Sequence, residues 1–174
     1  LRAPLMAADH LMLDLETLGV SNNARIVTIG ACRFDPLGGE PSTLFNWMVE
    51  DRLGVMDAGT VAWWMKQSEA ARKTVQAALG SDDPESKPLV VIEALCSLFS
   101  AFTDVDGVEY PKVQYLWSNG PTFDETILRG FFERYGQASR FPVSFRGSRC
   151  FRTVVDLAGL GYREMDDDES KIGR

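Results

Sequence analysis

One short segment, HLMLDLE at residues 10–16, constrains the fold of this chain more than any other. Leu11, Leu13 and Leu15 alternate with Met12, Asp14 and Glu16, which is the period of a strand with one buried face. Asp14 and Glu16 are two residues apart, so both carboxylates leave the strand on the same side. Neighbouring carboxylates repel each other and resist burial unless a cation neutralises them. A hard, oxygen-seeking ion such as Mg²⁺ or Mn²⁺ suits such a pair. Two ordinary acids on a solvent-facing strand fit the same pattern equally well.

The rest of the chain supplies a setting. RIVTIGACRF at residues 25–34 is rich in β-branched residues and is closed by the turn residues Asp35-Pro36-Leu37-Gly38-Gly39. Residues 44–49 make a third strand, so the first three form an antiparallel meander. Helical patterns follow at 60–67 and 68–79, the second opened by Ser68 as a cap and ended by Gly80. Residues 81–88 read as a polar loop, 89–102 as a buried helix and 113–117 as a strand. A helix over 122–135 has Thr122 and Glu125 at capping-box spacing and Gly136 past its end. A last helix spans 151–160, and the aperiodic tail from 162 to 174 is expected to be mobile. Strands followed by alternating helix and strand give an α/β layered domain with a mixed sheet. One domain accounts for all 174 residues.

Composition narrows the function classes. No apolar run has the length of a membrane span, and the N-terminus lacks the basic-then-apolar pattern of a signal peptide. Cys32, Cys96 and Cys150 are an odd set without CxxC spacing, so they read as buried free thiols in a reducing cytosol. The net charge of −7 opposes nucleic-acid binding taken alone, but the local distribution decides. Seven basic residues, Lys112, Arg129, Arg134, Arg140, Arg146, Arg149 and Arg152, face only Asp124, Glu125 and Glu133 in the same tract. That asymmetry permits a phosphate-binding face without demanding one. Asp124 lies in SNGPTFD (residues 118–124), between a strand and a helix. There it is either a helix-dipole acid or a third carboxylate facing the first two.

LMLDLETLG (11–19) resembles the first motif of the DEDD superfamily of 3′→5′ exonucleases, and SNGPTFD resembles the second. TVAWWMKQSEAAR (60–72) and CFRTVVDLAGL (150–160) are similar to segments of the DEDDh branch containing the exonuclease A of T-even phages and related bacterial exonucleases and exoribonucleases. The resemblance implies an RNase H-like exonuclease fold, a mixed central sheet flanked by helices, and a pair of Mg²⁺ or Mn²⁺ ions. It makes Asp14, Glu16 and Asp124 the catalytic, metal-binding residues. It implies removal of 5′-mononucleotides from the 3′ end of single-stranded DNA or RNA in the cytoplasm of a bacterium or of a phage's host. On the substrate side it points to Thr17, to Leu18 as a wedge beside the last base, to Trp63 or Trp64 as a stacking platform, and to Asn119 and Arg152. DNA and RNA are not distinguished. Oligomeric state stays open, a homodimer being one way to complete the cleft.

The family's third motif, His-x4-Asp, has no match. The single histidine, His10, lies at the wrong end and is followed at that spacing by Leu15, while Asp166, Asp167 and Asp168 read as a solvated acidic loop. Two expectations follow: a longer polypeptide carrying the motif beyond Arg174, or a catalytically incomplete nucleic-acid- or partner-binding module of the same fold.

Overall fold

The structure, a computed structural model, describes residues 9–38, 41–42, 44–103, 107 and 109–160. The alternation of the first strand, β1 (His10–Thr17), is realised: Leu11, Leu13 and Leu15 are buried while Asp14 and Glu16 are exposed. β2 (Ile26–Phe34) pairs antiparallel to β1, and β3 (Phe45–Met48) pairs antiparallel to β2. Three helices follow, α1 (Ala58–Trp64), α2 (Glu69–Leu79) and α3 (Pro88–Phe99), then a small hairpin of β4 (Phe102–Thr103) and β5 (Glu109–Tyr110). The chain re-enters the main sheet as β6 (Tyr115–Ser118), parallel to β1. It passes through α4 (Asp124–Arg134), returns as β7 (Ser148–Cys150) parallel to β6, and continues into α5 (Phe151–Leu157). The sheet order is therefore β3-β2-β1-β6-β7, a mixed sheet with helical cover as the sequence predicts.

The leucines of β1 pack with Val91, Ile92 and Leu95 of α3 and with Ile127, Leu128 and Phe131 of α4 to form the main core. Leu18, Val27, Trp64, Val75 and Ala78 make a second, smaller cluster beneath α1 and α2. Gly130 brings α4 against the chain that follows β1, because a Cβ there would lie 2.1 Å from the carbonyl oxygen of Asn22.

Local chemistry moves some boundaries. α1 begins before Thr60 because Asp57 caps it, its Oδ1 accepting from the Thr60 N–H at 2.7 Å. Ser68 caps α2 as expected, accepting from the Ala71 N–H at 3.3 Å. The capping box at Thr122 and Glu125 does not form: the residue preceding α4 is Phe123, without a side-chain cap, and Glu125 pairs with Arg129 at 2.7 Å instead. Arg33 holds an inward position of β2 and is wholly buried. It donates to the carbonyls of Leu98 (2.9 Å) and Ser100 (2.6 Å) at the C-terminal end of α3, and burial lowers its pKa to about 10. The three thiols are half-buried rather than buried. The acidic tail lies outside the described residues. No helix among the described residues is long and apolar enough to cross a membrane.

Candidate active site

β1, β6 and β7 run parallel, so the segments that follow them emerge along one edge of the sheet, the usual place for ligand sites in α/β folds. Asp14 and Glu16 stand near that end of β1. Asp124 opens α4 shortly after β6, and Arg152 lies exposed in the first turn of α5, directly after β7.

Asp124 is brought to the acid pair by the backbone. The Leu15 N–H, between Asp14 and Glu16 in the chain, donates to the Asp124 carboxylate. Asp124 is only 4% exposed. Its carboxyl is pushed up to about 6, by burial first and the Asp14 charge second, although the backbone N–H groups of Leu15, Asp124 and Gly120 pull the other way. Asp14 reaches solvent, but the protein packed around it partly desolvates its carboxyl and raises that group as well. Two of the three carboxylates therefore repel each other with only backbone N–H groups on Asp124 to offset it, and every donor atom is a hard oxygen. That donor set fits a divalent cation of the Mg²⁺ or Mn²⁺ type. Among the described residues no three His, Cys, Asp or Glu side chains lie close enough to hold one ion between them. The acids instead offer themselves as pairs around Asp14, which suits an ion that keeps several waters.

The acids separate two hollows. One, of about 300 Å³, is lined by Met12, Asp14, Glu16, Thr28, Cys32 and Asn46. The other, of about 370 Å³, is lined by Glu16, Thr17, Val20, Thr60, Trp63 and Phe123. The adjacent tryptophans divide their roles. Trp63 is 54% exposed along this second groove, while Trp64 turns inward at 7% and meets Trp63 edge-on at 5.1 Å. The Trp64 Nε1–H donates to the Thr17 carbonyl at 2.8 Å.

Other expected contacts sit differently. Leu18 does not line this second groove: it is 1% exposed inside the second apolar cluster, and its N–H is bonded to the Arg25 carbonyl at 2.8 Å. Val20, 73% exposed, lines the groove instead. The Thr17 hydroxyl is turned onto the Gly19 carbonyl at 2.7 Å. Asn119 lies half-buried in the turn before α4, and among the described residues its Oδ1 and the neighbouring Ser118 Oγ have no hydrogen-bond partner. The basic tract is largely engaged elsewhere, Arg129 with Glu125, Arg134 with Asp51 and Arg140 with Glu93. His10 is at the far end of β1, its Nδ1 accepting from the Trp117 Nε1–H at 2.7 Å. The sequence reading missed Val20, Thr60, Thr28 and Asn46. The Asp-x-x-Thr spacing of the α1 cap, Asp57 to Thr60, was the one available signal.

A family profile described as 3′-5′ exoribonuclease Rv2179c-like domain matches residues 9–172. The chain belongs to that family. With its fold, this makes it a member of the DEDDh-type 3′→5′ exonuclease superfamily. Among solved structures, a product-bound exonuclease I at 17% identity superposes with a TM-score of 0.55, covering 88% of this chain and 31% of that one. That likeness concerns the fold. An E. coli exonuclease I in complex with a dT13 oligonucleotide is 20% identical with a TM-score of 0.45, covering 72% of this chain and 23% of that one. The chain thus spans about a third or less of the exonuclease I chains that it matches. No curated protein matches it.

Proposed function

We propose that this domain is the metal-binding catalytic unit of a 3′→5′ exonuclease that releases 5′-mononucleotides from single-stranded DNA or RNA. The observation that carries the reading is the carboxylate pairing of Asp14 and Asp124 beside Glu16, which lines a groove walled by an exposed indole. Asp14 is the acid common to both pairs; Glu16 would complete one metal position and Asp124 the other. A bound pair of divalent ions supplies Lewis-acid stabilisation of the charge that grows on the phosphoryl oxygens and on the departing 3′-oxygen.

The protein's own groups set the geometry of attack. The buried Asp124 is fastened by the Leu15 N–H, whereas Asp14 and Glu16 face solvent and would hold an ion within reach of a phosphate. Trp63 offers a face on which the terminal base stacks, a contact that every base can make. Val20 lines the same groove, and the exposed Arg152 can meet a phosphate farther along the strand. Among the described residues no histidine lies near the acids, so the histidine base that the resemblance implies has no counterpart among them. A positioned base contributes ~10²–10⁴-fold in rate. The described residues alone are therefore expected to turn over slowly.

The test is a 5′-labelled linear single strand incubated with the protein and Mg²⁺ or Mn²⁺. Stepwise shortening with retention of the label, abolished by a chelator, is expected. Cleavage of a circular strand would move the assignment to an endonuclease, and end binding without turnover at high Mn²⁺ would leave a binding module.

A further inference from the structure

We infer that Trp64 is a positioning residue for Glu16, its indole N–H fixing the chain where β1 breaks register beside that acid. The inference rests on the metal-binding reading above. Pairing between β1 and β2 runs residue for residue from His10–Phe34 to Glu16–Thr28, then jumps to Thr17–Ile26. Val27 is left without an opposite residue, so β2 carries a bulge opposite the link between Glu16 and Thr17. Bulges re-aim the side chains beside them, and the aim needs an outside support because the ladder no longer dictates it.

Here the support comes from α1. The Trp64 Nε1–H reaches the Thr17 carbonyl at 2.8 Å, and the ring that carries it is clamped among Leu18, Val27, Val75 and Ala78. Val27 is the bulged residue itself, so the same indole packs on one side of the irregularity and hydrogen-bonds the other. Two further bonds fix the chain just beyond, from the Asp57 N–H to the Leu18 carbonyl at 2.9 Å and from the Leu18 N–H to the Arg25 carbonyl at 2.8 Å. Trp63 is the preceding residue of α1, so the helix that forms the groove wall also supports the acid. A buried indole commonly finds some acceptor for its N–H. What distinguishes this one is that its acceptor lies one residue from a metal-binding side chain.

Supporting partners of metal ligands typically alter affinity by roughly 10–100-fold. The experiment measures Mn²⁺ uptake by the intact chain, from the electron paramagnetic resonance signal of free Mn²⁺. It compares the unaltered protein, Trp64→Phe and Leu98→Ala. Replacing Trp64 with benzothienylalanine, which keeps the ring shape but lacks the N–H, serves if the Phe variant does not fold. Loss of the N–H is expected to weaken Mn²⁺ binding by about 10-fold or more, whereas Leu98→Ala disturbs the main core, to which the indole does not belong, and leaves it unchanged. Unaltered affinity without the N–H, or equal losses in the Trp64 and Leu98 variants, would overturn the inference. Absence of Mn²⁺ uptake by the unaltered protein would overturn the metal-binding reading itself, and this inference with it.

Discussion

Asp124 is held under opposing influences, and their balance is measurable. Its folded pKa, about 6, lies above its unfolded value near 3.8. Without metal, its contribution to stability is therefore fully present below about pH 4 and is lost as pH rises through about 6. Metal binding follows the opposite trend, since the ligand must be deprotonated, so Mn²⁺ affinity is expected to climb over the same interval. Calorimetry of the metal-free protein and Mn²⁺ titrations at pH 5 and 7.5 check both signs. Asp124→Asn should stabilise the metal-free fold at pH 7.5 by ~1–3 kcal/mol, from a shift of about two pKa units, while removing one of the two Mn²⁺ positions. Leu18 and Val20 separate in the same way. Leu18→Ala creates a cavity in a closed cluster and should cost ~2–5 kcal/mol in denaturant unfolding. Val20→Ala should leave stability unchanged and raise KM on a short oligonucleotide. The acid pair was legible because period-two alternation fixes a shared face. Leu18 was not, because the register slip at Glu16–Thr17 depends on β2 and leaves no mark in the local pattern.

Among the elements, α4 shows how packing overrides propensity. Gly130 is in the interior of this helix, where alanine is intrinsically better by ~1 kcal/mol. The Asn22 carbonyl oxygen would lie 2.1 Å from the added Cβ, so the opposite outcome is expected. Gly130→Ala should destabilise the protein by about 1–3 kcal/mol, read from the urea midpoint, and should weaken metal binding by shifting Asp124 from Leu15. Elements with strong periodicity, such as β1, β2, α2 and α3, were readable from sequence because their own side chains supply the signal. β7 was missed since three residues carry no period and its pairing comes entirely from β6. Arg33 was opaque for a related reason: its acceptors at Leu98, Ser100 and Pro111 are some 65 to 78 residues away in the chain.

At the scale of the molecule, a net charge of −7 is compatible with the proposed nucleic-acid substrate when few contacts carry the binding. Arg129, Arg134 and Arg140 are tied to Glu125, Asp51 and Glu93 and so hold the fold together. Affinity for single strands should accordingly depend weakly on salt, with Arg152→Ala lowering the log–log slope by about 0.7 and Arg140→Ala leaving it unaltered. Three members of the basic tract read in sequence as a permissive phosphate face, Arg129, Arg134 and Arg140, are thus engaged in ion pairs within the fold. The account stands on the claim that the three acids at one sheet edge form a metal site. Titration of Mn²⁺ into the unaltered protein and into Asp14→Ala at pH 7.5 tests it most directly. Saturable uptake by the unaltered protein, lost in Asp14→Ala with the fold intact, is the predicted result; equal uptake by both would contradict it.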